Sequence, residues 1–372
     1  MTPTRPRRII GVISFMNAAG AQAAILRLAR QTQARGHQME VWFLYQEDAI
    51  HADAPFVRVF EHRPQLSLIQ YVGVFLRLCR ALKAARPDAV IGFLPLGNVF
   101  GLSAAFLAGV PRRIASQRAP GRTFGRVMRR LDRWLGSTRV YHRIICVSEA
   151  VRASFSDYPA AYRTKLGVIH NGIAWAPSPD GPVEARLALG LPQDAFLYVA
   201  VGRLKAQKNY AFLIEVFAGV SEGLLVIAGD GDQRPRLEAQ VETLGLTGRV
   251  RFLGALDQTG VRRLLRAADV FVQPSLYEGQ SNAVLEAMHA GLPIIVGDIP
   301  EQRETLLDPE TGEVGGLLVS LGDIPAWTHA LDDLRTDPER RSALSAAALS
   351  IVERRFTLER MIDGFEAELL VN

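Results

Sequence analysis

Short unbroken apolar runs alternate along this chain with longer stretches whose apolar residues recur about every three or four positions, the pattern of buried strands separated by amphipathic helices. The run at 9–15 (IIGVISF) predicts a strand buried on both faces. A helix over 21–35 follows, with Ala24, Ile25, Leu28 and Thr32 on one side and Gly36 as its stop. A strand at 38–44 completes a β-α-β unit. Helices at 67–85 and 99–108 and strands at 89–93, 113–116, 143–147 and 167–169 continue the alternation. Ser148 caps a helix starting at Glu149, and the turn pair Asn171-Gly172 ends the last of these strands.

Residues 175–182 (WAPSPDGP) hold three prolines and a glycine and read as a linker. Beyond them the pattern restarts, with strands at 196–201, 224–228, 250–253, 270–273 and 293–296 and helices at 209–220, 234–244, 258–267 and 282–290. Helices at 326–336, 338–356 and 358–371 close the chain. The expected fold class is α/β: two Rossmann-like doubly wound domains, 1–174 and 183–355, facing across a cleft that receives the substrate.

With 372 residues, 48% of them hydrophobic, the chain is long enough for two full cores. Two cysteines, Cys79 and Cys146, form no disulfide framework and fit a reducing cytoplasm. The basic start runs straight into a strand, so no signal peptide is expected, and no apolar run reaches the roughly 18 residues of a membrane span. Charge is split unevenly: residues 1–175 carry 25 Lys and Arg against 9 Asp and Glu, a net of +16, and residues 176–372 carry 18 against 29, a net of −11. The first half therefore calls for an anionic partner, whether nucleic acid, membrane surface or phosphorylated substrate. No nucleic-acid reading module or aromatic stacking pattern accompanies the charge, which weighs against nucleic acid.

The densest basic stretch is 118–139 (RAPGRTFGRVMRRLDRWLGSTR). Arg122, Arg126, Arg129, Arg130 and Arg133 are expected on one broad helical face, with Phe124, Val127, Leu131, Trp134 and Leu135 offering an apolar one. Such a helix suits the headgroups of an anionic membrane. The plainer reading is a surface helix with solvated arginines.

Candidate chemistry concentrates in 273–298 (QPSLYEGQSNAVLEAMHAGLPIIVGD). Ser281 caps the helix there, Gly291 stops it, and the N–H groups of 282–284 make an anion or hydroxyl site. Glu278 before the helix and Glu286 in its second turn add two carboxylates, a combination suited to a polyhydroxylated, phosphorylated ligand. Glu286 has Ala283, Val284, Leu285, Ala287 and Met288 around it in sequence and needs a dedicated partner there. In 201–209 (VGRLKAQKN), Arg203 and Lys208 leave a strand end within reach of a pyrophosphate, Arg as a fork and Lys as a mobile point charge. Gly229-Asp230-Gly231-Asp232 reads as a turn rather than a metal loop, and His37, His170 and His289 show no ligand spacing. The first strand-to-helix turn is built of small residues (Asn17, Ala18, Ala19, Gly20, Ala21) but lacks the dinucleotide fingerprint, and no nucleophile elbow or Walker sequence occurs.

The segments VGRLKAQKN, VIAGDGDQRPRLE, VRFLG and EGQSNAVLEAMHAGLPIIV closely resemble the donor domain of glycosyltransferase family 4, retaining enzymes of the two-Rossmann glycosyltransferase-B (GT-B) fold. The first half is similar more loosely: AGAQ at 19–22 stands where the family often has Gly-Gly-Ala-Glu, with RGH at 35–37, VSEAVR at 147–152 and VIHNGI at 168–173 in order. The resemblance implies that Glu278 holds hydroxyls of the transferred sugar, that Glu286 binds the ribose, and that Gly279, Gln280, Ser281, Asn282 and Ala283 offer backbone N–H groups to sugar and phosphate oxygens. Arg203 and Lys208 stabilise the departing diphosphate, with Gly20 closing on it from the first domain. The same resemblance implies no cofactor, no metal, front-face transfer with retention, and a last helix (356–372) crossing back to the first domain. Many relatives carry a histidine after the strand matched by 113–116, where this chain has Ser116, Gln117 and Arg118, so that contact does not carry over. Asn98 and Arg118 are the acceptor-side candidates, Arg118 toward an anionic acceptor.

The expected function is hexose or N-acetylhexosamine transfer from a nucleotide sugar, a UDP-sugar, to a glycan or polyprenyl-diphosphate-linked acceptor at the inner face of the cell membrane. Two alternatives are a sugar-nucleotide epimerase of the same fold and a catalytically silent nucleotide-sugar-binding subunit.

Overall fold

The computed structural model describes residues 5–17, 20–48 and 54–370. It divides into two compact units, Met1–Gly172 with Leu358–Asn372, and Ile173–Thr357. In the first unit the order is β1 (Arg8–Met16), α1 (Gly20–Ala34), β2 (Gln38–Gln46), β3 (Val57–Val59), α2 (Leu68–Ala85), β4 (Ala89–Phe93), α3 (Leu94–Leu96), α4 (Leu102–Leu107) and β5 (Arg112–Gln117). There follow α5 (Arg126–Gly136), β6 (Arg143–Cys146), α6 (Glu149–Ala153), α7 (Ala160–Arg163) and β7 (Leu166–Val168). All seven strands are parallel, in the order β3-β2-β1-β4-β5-β6-β7. β4 is buried along its whole length, as its unbroken apolar run requires.

The second unit runs α8 (Pro182–Ala188), β8 (Leu197–Val201), α9 (Tyr210–Ala218), β9 (Leu224–Ala228), α10 (Arg234–Thr243), β10 (Val250–Gly254), α11 (Gln258–Ala267) and β11 (Val270–Gln273). It continues with α12 (Asn282–His289), β12 (Ile294–Gly297), α13 (Pro300–Leu306), β13 (Leu317–Val319), α14 (Ile324–Thr336) and α15 (Pro338–Arg355). Its six parallel strands are ordered β10-β9-β8-β11-β12-β13. Strand order therefore reverses between β1 and β4 in one unit and between β8 and β11 in the other, the positions where loops splay apart and leave a crevice.

The last helix, α16 (Leu358–Leu369), belongs to the first unit. Its Met361, Ile362, Phe365 and Leu369 share a core with Ile9, Ile13 and Phe93. Glu368 accepts from both Arg112 and Arg143 at 2.9 Å, fixing the helix against the amino ends of β5 and β6.

Three sequence expectations change. The division falls at 172/173 rather than in 175–182, because Ile173 is buried in the second unit's core and Trp175 stacks on His289 at 6.2 Å. Pro182 is not linker but the first residue of α8, where its fixed φ is already helical. The helix expected from 99 begins at Leu94, with a π turn over Gly97–Gly101. Leu94 adopts φ 65°, a costly conformation for a bulky residue, and a β-carbon at Gly97 would stand 2.7 Å from the Val12 carbonyl oxygen. The short elements β3, α13 and β13 had no distinct signature in the sequence.

The basic stretch also differs: only Arg126–Gly136 is α-helical, since Pro120, Gly121 and Gly125 interrupt what precedes it. Phe124 and Leu135 turn inward, whereas Val127, Leu131 and Trp134 are exposed on the surface that also carries Arg126, Arg129, Arg130 and Arg133. The inward anchor of α5 is a fully buried carboxylate, Asp132. It accepts from Gln117 Nε2 at 3.0 and 3.1 Å, from the Tyr162 hydroxyl at 2.8 Å and from the Tyr141 hydroxyl at 3.4 Å. Burial outweighs these bonds and pushes its pKa up to about 6.

A carboxyl group whose pKa is raised on folding stabilises the fold only while it holds its proton. The contribution is complete below its unfolded pKa of about 4 and is lost by pH 6, on the order of 3 kcal/mol. In urea unfolding, wild-type stability should therefore fall relative to Asp132→Asn as pH rises from 4 to 6. A wild-type-to-variant difference that stays flat across that window contradicts the assignment.

Candidate active site

The reversal point of the second sheet brings together two loops from distant parts of the sequence. β8 delivers residues 202–209, and its neighbour β11 delivers 274–281. The Leu276 N–H donates to the Gln207 carbonyl at 2.9 Å, and Gln207 Nε2 donates to the Tyr277 carbonyl at 2.8 Å. Between the loops, Lys208 Nζ donates to Glu278 Oε1 at 2.7 Å, with only 14% and 9% of the two side chains exposed. A pair so far removed from water holds only if other hydrogen bonds support it.

Gln273 supplies that support. Its Nε2 donates to the same Glu278 oxygen at 2.7 Å and to Ser275 Oγ at 2.9 Å, while its Oε1 accepts from Ser281 Oγ at 2.8 Å. Ser281 is at once the cap of α12, accepting from the Val284 N–H at 3.4 Å. The carboxylate is thus fixed to the helix start through one buried glutamine. Among the described residues Glu278 Oε2 has only a 3.5 Å contact from Gln207 Nε2, and Lys208 spends one of its three donors on Glu278. Each partner keeps hydrogen-bonding capacity for a ligand.

The floor of the site is backbone. Gly229, with φ 146°, ends β9 so close to the first loop that a β-carbon there would stand 1.9 Å from the Gly202 carbonyl oxygen. The Leu204 N–H donates to the Asp230 carbonyl at 2.9 Å and locks the two turns together. Asp230 and Asp232 face Arg234 at 3.6 Å and Lys205 at 3.1 Å, so this turn is held by ion pairs. Asn209 starts α9 with φ 57°, a left-handed conformation that asparagine tolerates. Tyr210 lies buried beneath, its pKa raised by burial and by the nearby Glu278 charge.

Of the residues singled out in the sequence, Lys208 and Glu278 meet directly, and Ser281 joins Glu278 through Gln273. Gly279, Gln280, Asn282 and Ala283 follow Glu278 into the first turn of α12, and Glu286 is half-buried one turn on. Arg203 is exposed and forms no ion pair among the described residues. Gln207, Gln273 and Tyr210 were missed. The signal for Gln273 was a polar residue closing the apolar strand VFVQ, buried to 1%. Among the described residues no group of three His, Cys, Asp or Glu side chains is placed to hold a metal ion.

Gly20, Asn98 and Arg118 lie in the first unit, after the carboxyl ends of β1, β4 and β5. Ala18 and Ala19, which precede Gly20 in the small-residue turn, are outside the described residues. Asn98 does not face an acceptor. It is fully buried, exchanging 3.2 Å bonds with the Ser116 N–H and carbonyl and donating to Gln117 Oε1, so it ties the π turn to β5. Arg118 is half-buried at the end of β5.

Two parallel, doubly wound units of this kind constitute the GT-B fold. The solved Anabaena protein Alr3699/HepE, in complex with UDP and glucose, matches with a TM-score of 0.85 at 20% identity, over 98% of this chain and 99% of that one. A family model described as glycosyl transferases group 1 matches residues 184–350, and one described as glycosyltransferase family 4 matches residues 18–174. This chain belongs to the family 4 glycosyltransferases. It is similar to the Escherichia coli UDP-Gal:alpha-D-GlcNAc-diphosphoundecaprenol alpha-1,3-galactosyltransferase, 29% identical over 80% of this chain and 79% of that one. It is also similar to the lipopolysaccharide core biosynthesis glycosyltransferase LpsD of Rhizobium meliloti, 32% identical over 60% of this chain but only 62% of that protein's length.

Gly229→Ala should push the Gly202 turn away and displace Lys208 with it, weakening UDP binding by roughly 10²-fold. Calorimetric titration with UDP on a variant shown to be folded by circular dichroism checks this. Wild-type affinity contradicts the backbone floor.

Proposed function

We propose that the protein transfers a hexose or N-acetylhexosamine from a UDP-sugar to a glycan or polyprenyl-diphosphate-linked acceptor, in the synthesis of cell-surface polysaccharide. The observation that carries this reading is the nearly buried Lys208–Glu278 pair, whose two ends each retain unused hydrogen-bonding capacity. A sugar diphosphate uses both. Its hydroxyls suit the free edge of Glu278, and its phosphate oxygens suit Lys208, Arg203 and the capped start of α12. The names of the Escherichia coli relative and of the Anabaena complex support UDP as the nucleotide, and the former supports a lipid diphosphate in the acceptor.

Breaking the bond between the anomeric carbon and the diphosphate oxygen builds negative charge on the diphosphate and positive charge on the sugar ring. Arg203 and Lys208 stabilise the first, and Glu278, held in place by Gln273, sits beside the second. Transfer proceeds with retention, the acceptor hydroxyl attacking the face from which the diphosphate leaves and giving its proton to a phosphate oxygen. No resident metal is required, because the two cationic side chains supply the countercharge.

The protein works on the cytoplasmic face of the membrane, in peripheral contact with anionic lipid through α5. Val127, 71% exposed, and Trp134, 64% exposed, stand among the arginines there, an arrangement that inserts apolar side chains while the guanidinium groups meet headgroup phosphates. Among the described residues no helix is long and apolar enough to cross a membrane.

Glu278→Ala and Lys208→Ala should each cut UDP release from a UDP-sugar in the presence of lipid extract by about 10²–10³-fold. Near-normal turnover in both variants overturns the site. Sedimentation with phosphatidylglycerol vesicles should fall when Arg126, Arg129, Arg130 and Arg133 all become Ser. Unchanged sedimentation removes α5 from the membrane contact.

A further inference from the structure

Among the described residues of the first unit, Arg118 has no acidic partner. Arg118 follows the last residue of β5 and is half-buried. Its guanidinium lies over the ring of Phe93, the last residue of β4, 5.3 Å from the centroid, and donates to Asn171 Oδ1 beyond β7. Three strand ends thus converge on it at the carboxyl edge of the sheet. Among the described residues no carboxylate pairs with it, whereas Arg35, Arg112 and Arg143 each meet one and the buried Arg113 is held instead by the carbonyls of Val110, Val140 and Arg139.

Its charged neighbour has the wrong sign for a structural pair. Burial, with a smaller contribution from the positive charge of Arg27 on α1, lowers the Arg118 pKa to about 9. Holding a guanidinium away from water beside a neutral amide, an aromatic ring and another cation costs folding free energy. A bound anion removes that cost, and the planar fork matches the oxygens of a phosphate group. The aromatic and amide contacts fix the orientation of the fork in advance.

We propose that Arg118 is the residue that binds a phosphate group of the acceptor, with Arg27 adding to the local positive potential. This rests on the glycosyltransferase reading above and narrows its acceptor to a phosphate-bearing molecule. The phosphate belongs either to a lipid diphosphate or to a phosphorylated sugar, two sources that present the same oxygens to the fork.

The test uses the full-length protein saturated with UDP, so that Arg203 and Lys208 are occupied, and titrates it with geranyl diphosphate, glucose 6-phosphate or geraniol. Wild type should bind at least one of the two phosphates, and not geraniol. Arg118→Gln should weaken that binding at least tenfold, with Arg118→Lys intermediate. Binding of geranyl diphosphate alone assigns the lipid source, and binding of glucose 6-phosphate alone assigns the sugar.

Thermal unfolding separates this role from packing. Loss of an uncompensated cation should leave the melting temperature of Arg118→Gln at or above the wild-type value. A lower melting temperature with unchanged phosphate binding overturns the proposal, as does wild type that binds neither phosphate or binds geraniol equally well. Failure of UDP to bind wild type contradicts the donor site instead, and the same titration without UDP then still decides the role of Arg118.

Discussion

A lysine and a glutamate nearly withdrawn from water, 2.7 Å apart at the reversal point of a parallel sheet, are the constraint on which the second unit depends. Neither charge is tolerable there alone, so each fixes the loop that carries the other. The 202–209 loop cannot move without stranding Glu278, and the 274–281 loop cannot move without stranding Lys208. Backbone bonds from Gln207 and the buried amide of Gln273 hold the pair in one geometry, and Ser281 passes that geometry on to α12. What results is a fixed arrangement of charge and N–H donors, and fixed charges are what stabilise a departing diphosphate without reorganisation.

The first unit follows a related logic with different consequences. Asn98, Gln117 and Asp132 form a buried polar chain from the π turn after β4, across the end of β5, to the inner face of α5. Each member is satisfied by the next, so the chain rigidifies the carboxyl edge of the sheet. Arg118, one residue beyond Gln117, is not part of that closed set. That contrast between a saturated network and an adjoining cation without a carboxylate is the ground for the phosphate-binding role proposed for Arg118.

Much of this was legible in the sequence because period and punctuation coincide: unbroken apolar runs gave the buried parallel strands, and Gly36, Gly291 and Ser281 marked helix limits close to where they fall. Lys208, Glu278 and Ser281 were also readable, since each stands at a strand-to-helix junction. What the sequence hid depends on contacts between distant residues. Gln273 looked like the polar end of a strand; it bridges Glu278 and Ser281 by folding the 274–281 loop back over the strand end, and the adjacency of β8 and β11 then brings Lys208 to the same carboxylate. Asn98 looked like a loop residue, yet the close approach of Gly97 to β1 carries it into the core. In 118–139, helical spacing predicted separate basic and apolar faces; the position of Asp132 against Gln117 instead turned Val127 and Trp134 outward among the arginines.

The most direct measurement is a crystal structure of the protein with an intact UDP-sugar. The diphosphate should lie over the Gly229 turn within hydrogen-bonding distance of Lys208 Nζ, with a sugar hydroxyl on Glu278. A nucleotide bound away from both the 202–209 loop and the start of α12 would contradict that placement.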